Sequence, residues 1–278
     1  MNIRKPAVSG RFYPSDKQEL EKLLQKILNT EKKHINKELS NTKIIGGIVP
    51  HAGYMFSAYQ AVHFFEILKH SKQKFDTFII INPNHTGSGA EISLDGNDAW
   101  KTPFGIIEID KELADLTQFT YSSEAHKNEH SGEVMLPLLQ YFLDYEFKIL
   151  PITMSKQNFY NAQLIATKIH FASIKLNRKV CFIASSDFSH FVNPEFGKTQ
   201  DKKVIQEILD LNSEGIINTV RKNNISMCGY GPSASLTEYA KFVSNNPKAE
   251  LLKFGHSGEV HQSNEVVDYA SILVYEDK

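Results

Sequence analysis

Histidines follow three separate apolar runs of the chain. Apolar runs of this length, without alternation of polar and apolar residues, are typical of strands in a parallel sheet that is covered on both faces. Imidazoles at strand ends can ligate zinc, iron or copper, and they can transfer protons near neutral pH. The runs and the residues after them are 44–49 with His51, 77–81 with His85, and 180–184 with Asp187 and His190.

The positions of these residues predict a shared site. In open parallel sheets, ligands bind in the crevice beyond the carboxyl ends of the strands. We therefore expect His51, His85, Asp187 and His190 to lie along one edge of the sheet. A single histidine at a strand end often serves only as a hydrogen-bonding residue, but three such endings in one chain favour a common pocket.

Cys228 is a further candidate ligand or nucleophile. It lies in the glycine-flanked stretch Met227-Cys-Gly-Tyr-Gly-Pro232, before a helix that we predict to open at Pro232. The positive end of that helix dipole would favour the thiolate. The alternative is a small residue that fits a turn. Cys181, inside an apolar run, is interpreted as a buried small hydrophobe.

The stretch Glu129-His-Ser-Gly-Glu133 combines acidic, hydroxyl and imidazole groups. We expect Ser131 to cap the helix that follows and Glu133 to complement the dipole of that helix. His130 has no such structural role in the sequence pattern. It could therefore orient a ligand or contact a substrate.

Composition limits the class of protein. The chain has 278 residues, 41% of them hydrophobic and 23% charged, which is ordinary for a globular protein with a full core. A net charge of -1 argues against nucleic-acid binding and against binding to anionic membranes. Two cysteines exclude a disulfide scaffold. No signal peptide or apolar span of about 18 residues is present, so we expect no membrane segment and a cytoplasmic location.

Helical and strand patterns alternate along the chain. This alternation predicts an α/β fold, with a single domain over residues 1–278 and a mainly parallel central sheet flanked by helices. The predicted strands are 44–49, 77–81, 90–94, 106–109, 147–152, 179–184, 249–254 and 266–274. The predicted helices begin near 15 and 111 and span 58–68, 133–143, 158–174, 199–211, 214–222 and 232–243.

Several short motifs together resemble the Memo family, whose bacterial and archaeal members are called protein B of the AmmeMemoRadiSam system. The resemblance runs in order over nearly the whole chain. The motifs are Val49-Pro-His-Ala-Gly-Tyr54, Asn82-Pro-Asn-His85, Glu129-His-Ser-Gly-Glu133, Ser185-Ser-Asp-Phe-Ser-His190 and Cys228-Gly with Gly231-Pro232. The opening Arg4 to Pro14, Trp100 to Gly105 and Asp268-Tyr-Ala-Ser271 also fit.

The resemblance implies an α/β fold similar to the class III extradiol dioxygenases and a redox-active metal, Fe(II) or Cu(I). The implied metal ligands are His51, His85 and Cys228, and Asp187 and His190 line the same pocket. We expect Asp187 and His190 to be catalytic groups, and Tyr54, His130 and Glu133 to lie in the pocket or behind its ligands. The dioxygenases use two histidines and a carboxylate. Here a thiolate takes the place of the carboxylate, so ring-opening activity does not follow from the fold.

Three functions are compatible with these residues. The first is a redox enzyme that acts on a small substrate, with His190 as acid or base. The second is a metal- or peptide-binding protein without turnover. The third is a zinc hydrolase, in which Asp187 or Glu133 would be the base. The family name also implies a link to a radical-SAM protein, and the ligand is expected to be a small molecule or a peptide.

Overall fold

The computed structural model describes residues 1–277. The strands are β1 (Ile3–Arg4), β2 (Lys43–Val49), β3 (Thr77–Pro83), β4 (Ile92–Leu94), β5 (Ala99–Thr102), β6 (Gly105–Glu108), β7 (Thr120–Tyr121), β8 (Lys148–Met154), β9 (Val180–Ser185), β10 (His190–Val192), β11 (Pro247–His256) and β12 (Val266–Glu276). The helices are α1 (Lys17–Glu31), α2 (Tyr54–His70), α3 (Lys111–Thr117), α4 (Ser123–Lys127), α5 (Met135–Phe142), α6 (Phe159–Leu176), α7 (Pro194–Leu209), α8 (Ser213–Lys222) and α9 (Tyr230–Val243). None of the helices in this part of the chain is long and apolar enough to cross a bilayer.

The main sheet has the strand order β10-β12-β2-β9-β3-β8-β4-β7, and β11 pairs with the other side of β12. Its four central strands, β2, β9, β3 and β8, run parallel. The predicted α/β fold with a central sheet flanked by helices is therefore confirmed. The outer part differs from a purely parallel sheet, because β12 is antiparallel to β2 and to β11. The segment between β11 and β12 is too short to hold a crossover helix, so the chain returns antiparallel.

Helices cover both faces of the sheet. Successive residues of a strand point to opposite faces, as in β3, where Phe78 and Ile80 join one apolar layer and Ile79 and Ile81 join the other. The first layer is completed by α1, α2 and α5, and the second by α3, α6, α7, α8 and α9. Burial on both faces explains why these strands read as continuous apolar runs.

Two glycines let β2 lie close to its neighbours. A Cβ on Gly47 would lie 2.4 Å from the ring of Phe64 on α2. A Cβ on Gly46 would lie 2.3 Å from the carbonyl oxygen of Phe182 and 2.8 Å from Leu236 on α9. The strand that leads to His51 is therefore held tightly from both faces, because no side chain separates it from the helices.

The N-terminal segment is tied to the loop before α5 by a buried ion pair. Nη1 of Arg4 lies 2.7 Å from Oε2 of Glu133, and both side chains are almost fully buried. The same guanidinium donates to the carbonyls of His126 and Glu129 and lies 4.0 Å from the ring centre of Trp100. The segment therefore fixes the chain from residue 126 to residue 133.

Replacement of Arg4 by Met should destabilise the protein strongly. It leaves the buried carboxylate of Glu133 without its cation, and breaking a buried pair in this way costs about 3–5 kcal/mol. Denaturant unfolding of native and variant proteins measures the loss. The control is Lys156→Met, which removes the exposed ion pair of Lys156 with Glu91 and should change stability little. Equal losses in the two variants would contradict this role of Arg4.

Candidate metal centre

Three adjacent strand ends bring the candidate side chains together. His51 follows the end of β2, His85 follows β3, and Asp187 follows β9, which lies between them in the sheet. The ligand atoms of His51, His85 and Cys228 all lie within 4.8 Å of one another. The structure thus places these side chains close enough to bind one ion.

His51 is held with one ring nitrogen free. The side chain is buried, and its Nδ1 lies 2.8 Å from Oγ of Ser185. That hydroxyl donates its only proton to the carbonyl of Ser131, 2.7 Å away, so it must accept a proton from Nδ1. Nε2 then carries the lone pair and lies 3.3 Å from Sγ of Cys228. Burial, followed by the charges of the neighbouring histidines, holds the pKa of His51 well below its usual range.

His85 is oriented by Glu129. Its backbone N–H donates to Oε2 of Glu129 at 2.6 Å, and its Nδ1 lies 2.9 Å from Oε1. Burial opposes ionisation of this carboxyl, but the hydrogen bonds from His85 and from Ser131 prevail and hold the pKa of Glu129 at about 2. Because a carboxylate can only accept, Nδ1 of His85 donates and Nε2 is free. A carboxylate behind an imidazole is a common support for metal-binding histidines.

Cys228 lies just before α9, against the end of β9. The backbone N–H of Asp187 donates to its Sγ at 3.2 Å. Gly229 allows this approach, since a Cβ there would lie 2.3 Å from the carbonyl of Ser185. Burial, and after it the charge of Asp187, raises the pKa of the thiol. Burial and the charge of Asp187 therefore outweigh the support for the thiolate that was expected from the helix N-terminus. Helix α9 also begins at Tyr230, before the predicted start at Pro232.

Asp187 supports the loop of His51. Its Oδ1 accepts from the backbone N–H groups of His51 at 2.7 Å and of Ala52 at 3.3 Å. Its Oδ2 lies 3.9 Å from Nε2 of His51. Burial raises the pKa of Asp187 to about 6, although the two backbone donors oppose the shift. One carboxylate oxygen therefore fixes the backbone while the other faces the pocket.

His190 is anchored to the segment that carries Cys228. Its backbone N–H donates to Oγ of Ser226 at 2.7 Å, and its Nδ1 lies 2.8 Å from the carbonyl oxygen of the same residue. A carbonyl can only accept, so Nδ1 donates and Nε2 is left to exchange a proton. The side chain is partly exposed. This arrangement suits an acid or base beside the pocket.

His130 belongs to the same cluster. Its ring centre lies 5.3 Å from that of His51 and 4.7 Å from that of His85. Burial lowers the pKa of His130 to about 4, against the opposing charge of Glu129. His85, Glu129 and His130 form a second group whose ligand atoms lie within 4.8 Å of one another. His130 is thus neutral near pH 7 and close to the candidate ligands.

Glu133 and Tyr54 serve the fold instead of the pocket. Both oxygens of Glu133 are used by Arg4, Tyr13 and the backbone N–H groups of residues 7 and 8. Tyr54 is buried and donates to the carbonyl of residue 134 at 2.6 Å. The expected pocket role of these two residues is therefore not seen. Ser131 does not cap a helix either, since its hydroxyl donates to Glu129 and α5 begins at Met135.

Glu129, Ser185 and Ser226 orient the three histidines, and none of them was predicted as a site residue from the sequence. Each lies within or beside a motif that was singled out. The sequence offered two acids, Glu129 and Glu133, around His130, and nothing in the pattern distinguishes which one faces the pocket. The hydroxyl of Ser185 is a weak signal in a sequence, because serine is common in turns.

Comparisons with known proteins agree with the motifs. The family model described as "Memo-like protein" matches residues 4–273. A MEMO1 family protein of Methanosarcina barkeri is 41% identical over 277 residues, which is 98% of this chain and all of that protein. A MEMO1 family protein of Methanopyrus kandleri is 36% identical and covers 97% of this chain and 98% of its own length.

One solved structure is similar in fold. An uncharacterised protein of Escherichia coli K12 superposes with a TM-score of 0.54 at 8% identity, covering 82% of this chain and 99% of that one. At this identity the similarity concerns the fold alone. The match of the family model over residues 4–273 and the full-length relatives establish that this chain belongs to the Memo family.

Proposed function

We propose that the chain is a metalloprotein with a mononuclear redox centre, Fe(II) or Cu(I), held by His51, His85 and Cys228, and that it carries out oxidative chemistry on a small substrate. The observation that supports this most strongly is the state of the two imidazoles. Both are tied at Nδ1, to Ser185 and to Glu129, so both Nε2 atoms are free for a metal beside the cysteine sulfur. Neutral, pre-oriented imidazoles and a thiolate are typical donors for transition metals.

The three donors favour a soft or intermediate metal and leave room for other ligands. Thiolate selects copper(I), zinc and iron over calcium or magnesium. When bound, the metal would supply the redox chemistry and would stabilise the thiolate against the effect of burial. His51, His85 and Cys228 would hold the metal, and an iron(II) ion there would still have coordination positions for other ligands.

The surrounding residues have separate roles in this proposal. Asp187 holds the loop of His51 and donates a backbone N–H to the sulfur of Cys228. His190 would accept or release a proton at Nε2, because its Nδ1 is engaged by Ser226. The substrate thus needs an acidic or basic group within reach of His190.

A zinc hydrolase is the second candidate. Two imidazoles and a thiolate are also found at catalytic zinc sites, and a base beside the metal would activate the bound water. Asp187, with one oxygen facing the pocket and a pKa of about 6, could serve as that base. Zinc in protein purified without air would favour this function, and iron or copper would favour a redox centre. Metal without turnover would indicate the third possibility, a non-catalytic metal- or peptide-binding protein.

Replacement of Cys228 by Ser should weaken copper(I) binding by far more than it affects folding. Serine keeps the size of the side chain and removes the soft donor. The aspartate variant restores a set of two histidines and one carboxylate, so it should shift the preference to iron(II). Anaerobic metal titrations and thermal melts measure both effects.

The matched control for this prediction is Cys181→Ala, because Cys181 is buried in the apolar layer beside α2 and is not one of the candidate metal ligands. It should retain native copper(I) affinity. If Cys228→Ser also kept that affinity, Cys228 would be a turn residue and not a ligand.

Replacement of Glu129 by Gln should weaken metal binding by about 10- to 100-fold, the usual effect of removing a partner behind a metal-binding histidine. The amide keeps the shape but loses the charge that orients and polarises His85. The control is Glu31→Gln, which changes a buried carboxylate beside His63, a histidine that is not a candidate ligand, and should leave the metal affinity unchanged. Competition with a coloured chelator measures the affinities. Equal affinity in native and Glu129→Gln proteins would contradict the role of this carboxylate.

Replacement of His190 by Gln should leave the metal content nearly unchanged and alter the pH dependence of turnover. Glutamine can still donate a hydrogen bond, but it cannot exchange a proton near neutral pH. His34→Gln, an exposed change, is the control. Loss of the metal in the His190 variant would make His190 a ligand and would show the proposed role to be wrong.

A further inference from the structure

Phe191 occupies a β-bulge beside the candidate metal centre. Strand β10 pairs antiparallel with β12, and His190 lies opposite Val267 while Val192 lies opposite the next residue, Val266. Phe191 is thus the extra residue of the pair. Bulges often occur beside active sites, where they redirect a side chain.

The backbone at Phe191 adopts a conformation that glycine usually provides. Its φ is +55°, in the left-handed region, where the Cβ of an L-residue causes steric strain. Four other non-glycine residues in the described chain have a positive φ, and each lies one or two residues after the end of a helix, where this conformation is common. They are Gln118, Asn177, Leu211 and Asn224. Phe191 alone has it within a strand.

Packing does not compensate for the strain. The residue is 73% exposed, so its ring gains little from the core. A glycine at this position would relieve the backbone and would lose almost no contact. A large aromatic side chain in a strained and exposed position is therefore better explained by a ligand than by folding.

The position of the ring indicates which bound molecule it would contact, namely one held at the candidate metal centre. Its centre lies 6.1 Å from that of His190. His190 is anchored by Ser226, which is two residues before Cys228, and the loop between β9 and β10 also carries Asp187, next to His51. The bulge therefore holds an apolar ring beside His190, the candidate acid or base.

We propose that Phe191 is a substrate-binding residue, and that it packs against an aromatic or other planar apolar ring of the molecule that binds the metal centre. This inference rests on the proposed function, because the centre must hold the other end of that molecule. Aromatic rings contact one another in offset or edge-to-face geometry, and an exposed phenylalanine leaves both its face and its edge available.

The test uses two probes on the iron(II)-loaded full-length protein without air. 4-Nitrocatechol carries a ring and two oxygen donors, and azide is a metal-binding anion without a ring. Phe191→Gly should lower the affinity for 4-nitrocatechol about tenfold, which is the size expected for loss of an aromatic contact. The affinity for azide should stay within about twofold of the native value. Phe191→Tyr should retain native affinity for both. The control Phe171→Ala, an exposed change on α6, should change neither affinity.

Thermal melting of the same variants separates binding from folding. Phe191→Gly should melt at or above the native temperature, since strain is relieved. Unchanged 4-nitrocatechol affinity in this variant would overturn the inference. Weakened azide binding or a lower melting temperature would make Phe191 a structural residue and would overturn it as well. If the native protein binds azide and Phe191→Gly lowers neither probe affinity, this inference alone is disproved. If the native protein binds neither iron nor either probe, the proposed function is disproved as well.

Discussion

The site depends on the parallel alignment of three adjacent strands, β2, β9 and β3. Because parallel strands end at the same edge, residues far apart in sequence reach one pocket. The glycines of β2 keep this alignment tight, since α2 and α9 press on the strand from opposite faces. A metal centre built on strand ends is held more rigidly than one built on long loops.

Two acidic residues of one short loop next to these strand ends have different roles. Glu129 faces the pocket and orients His85, while Glu133 faces the opposite way and receives Arg4. Arg4 also donates to the carbonyl of Glu129. The N-terminal strand is therefore connected to the candidate ligand through two successive charged contacts. Loss of the N-terminal anchor would disturb the position of His85 as well as the stability of the fold.

Much of this arrangement could be predicted from the sequence. Continuous apolar runs identified the central strands, and the position of His51, His85 and Asp187 directly after them identified the shared edge. The antiparallel outer strands could not be predicted, because an apolar run gives no direction. The separate roles of Glu129 and Glu133 could not be predicted either, since the turn between them decides which carboxylate points to the pocket. The bulge at Phe191 leaves no mark in a sequence unless glycine occupies it.

The pattern of hydrogen bonds behind the histidines also lies beyond sequence reasoning. The free nitrogen of each imidazole follows from what its other nitrogen contacts, and these contacts are made by Ser185, Glu129 and Ser226, from other parts of the chain. That pattern is the link between the fold and the proposed chemistry, because it prepares the rings of His51 and His85 for a metal and the ring of His190 for a proton.

The central claim is that one redox metal is bound by two imidazoles and the sulfur of Cys228. X-ray absorption spectroscopy of protein purified without air tests it most directly, because the spectrum reports both the metal and its neighbouring atoms. The account predicts iron or copper with one sulfur and two imidazole nitrogens among its ligands. A metal bound only by nitrogen and oxygen, or a spectrum with zinc as the sole metal, would contradict it.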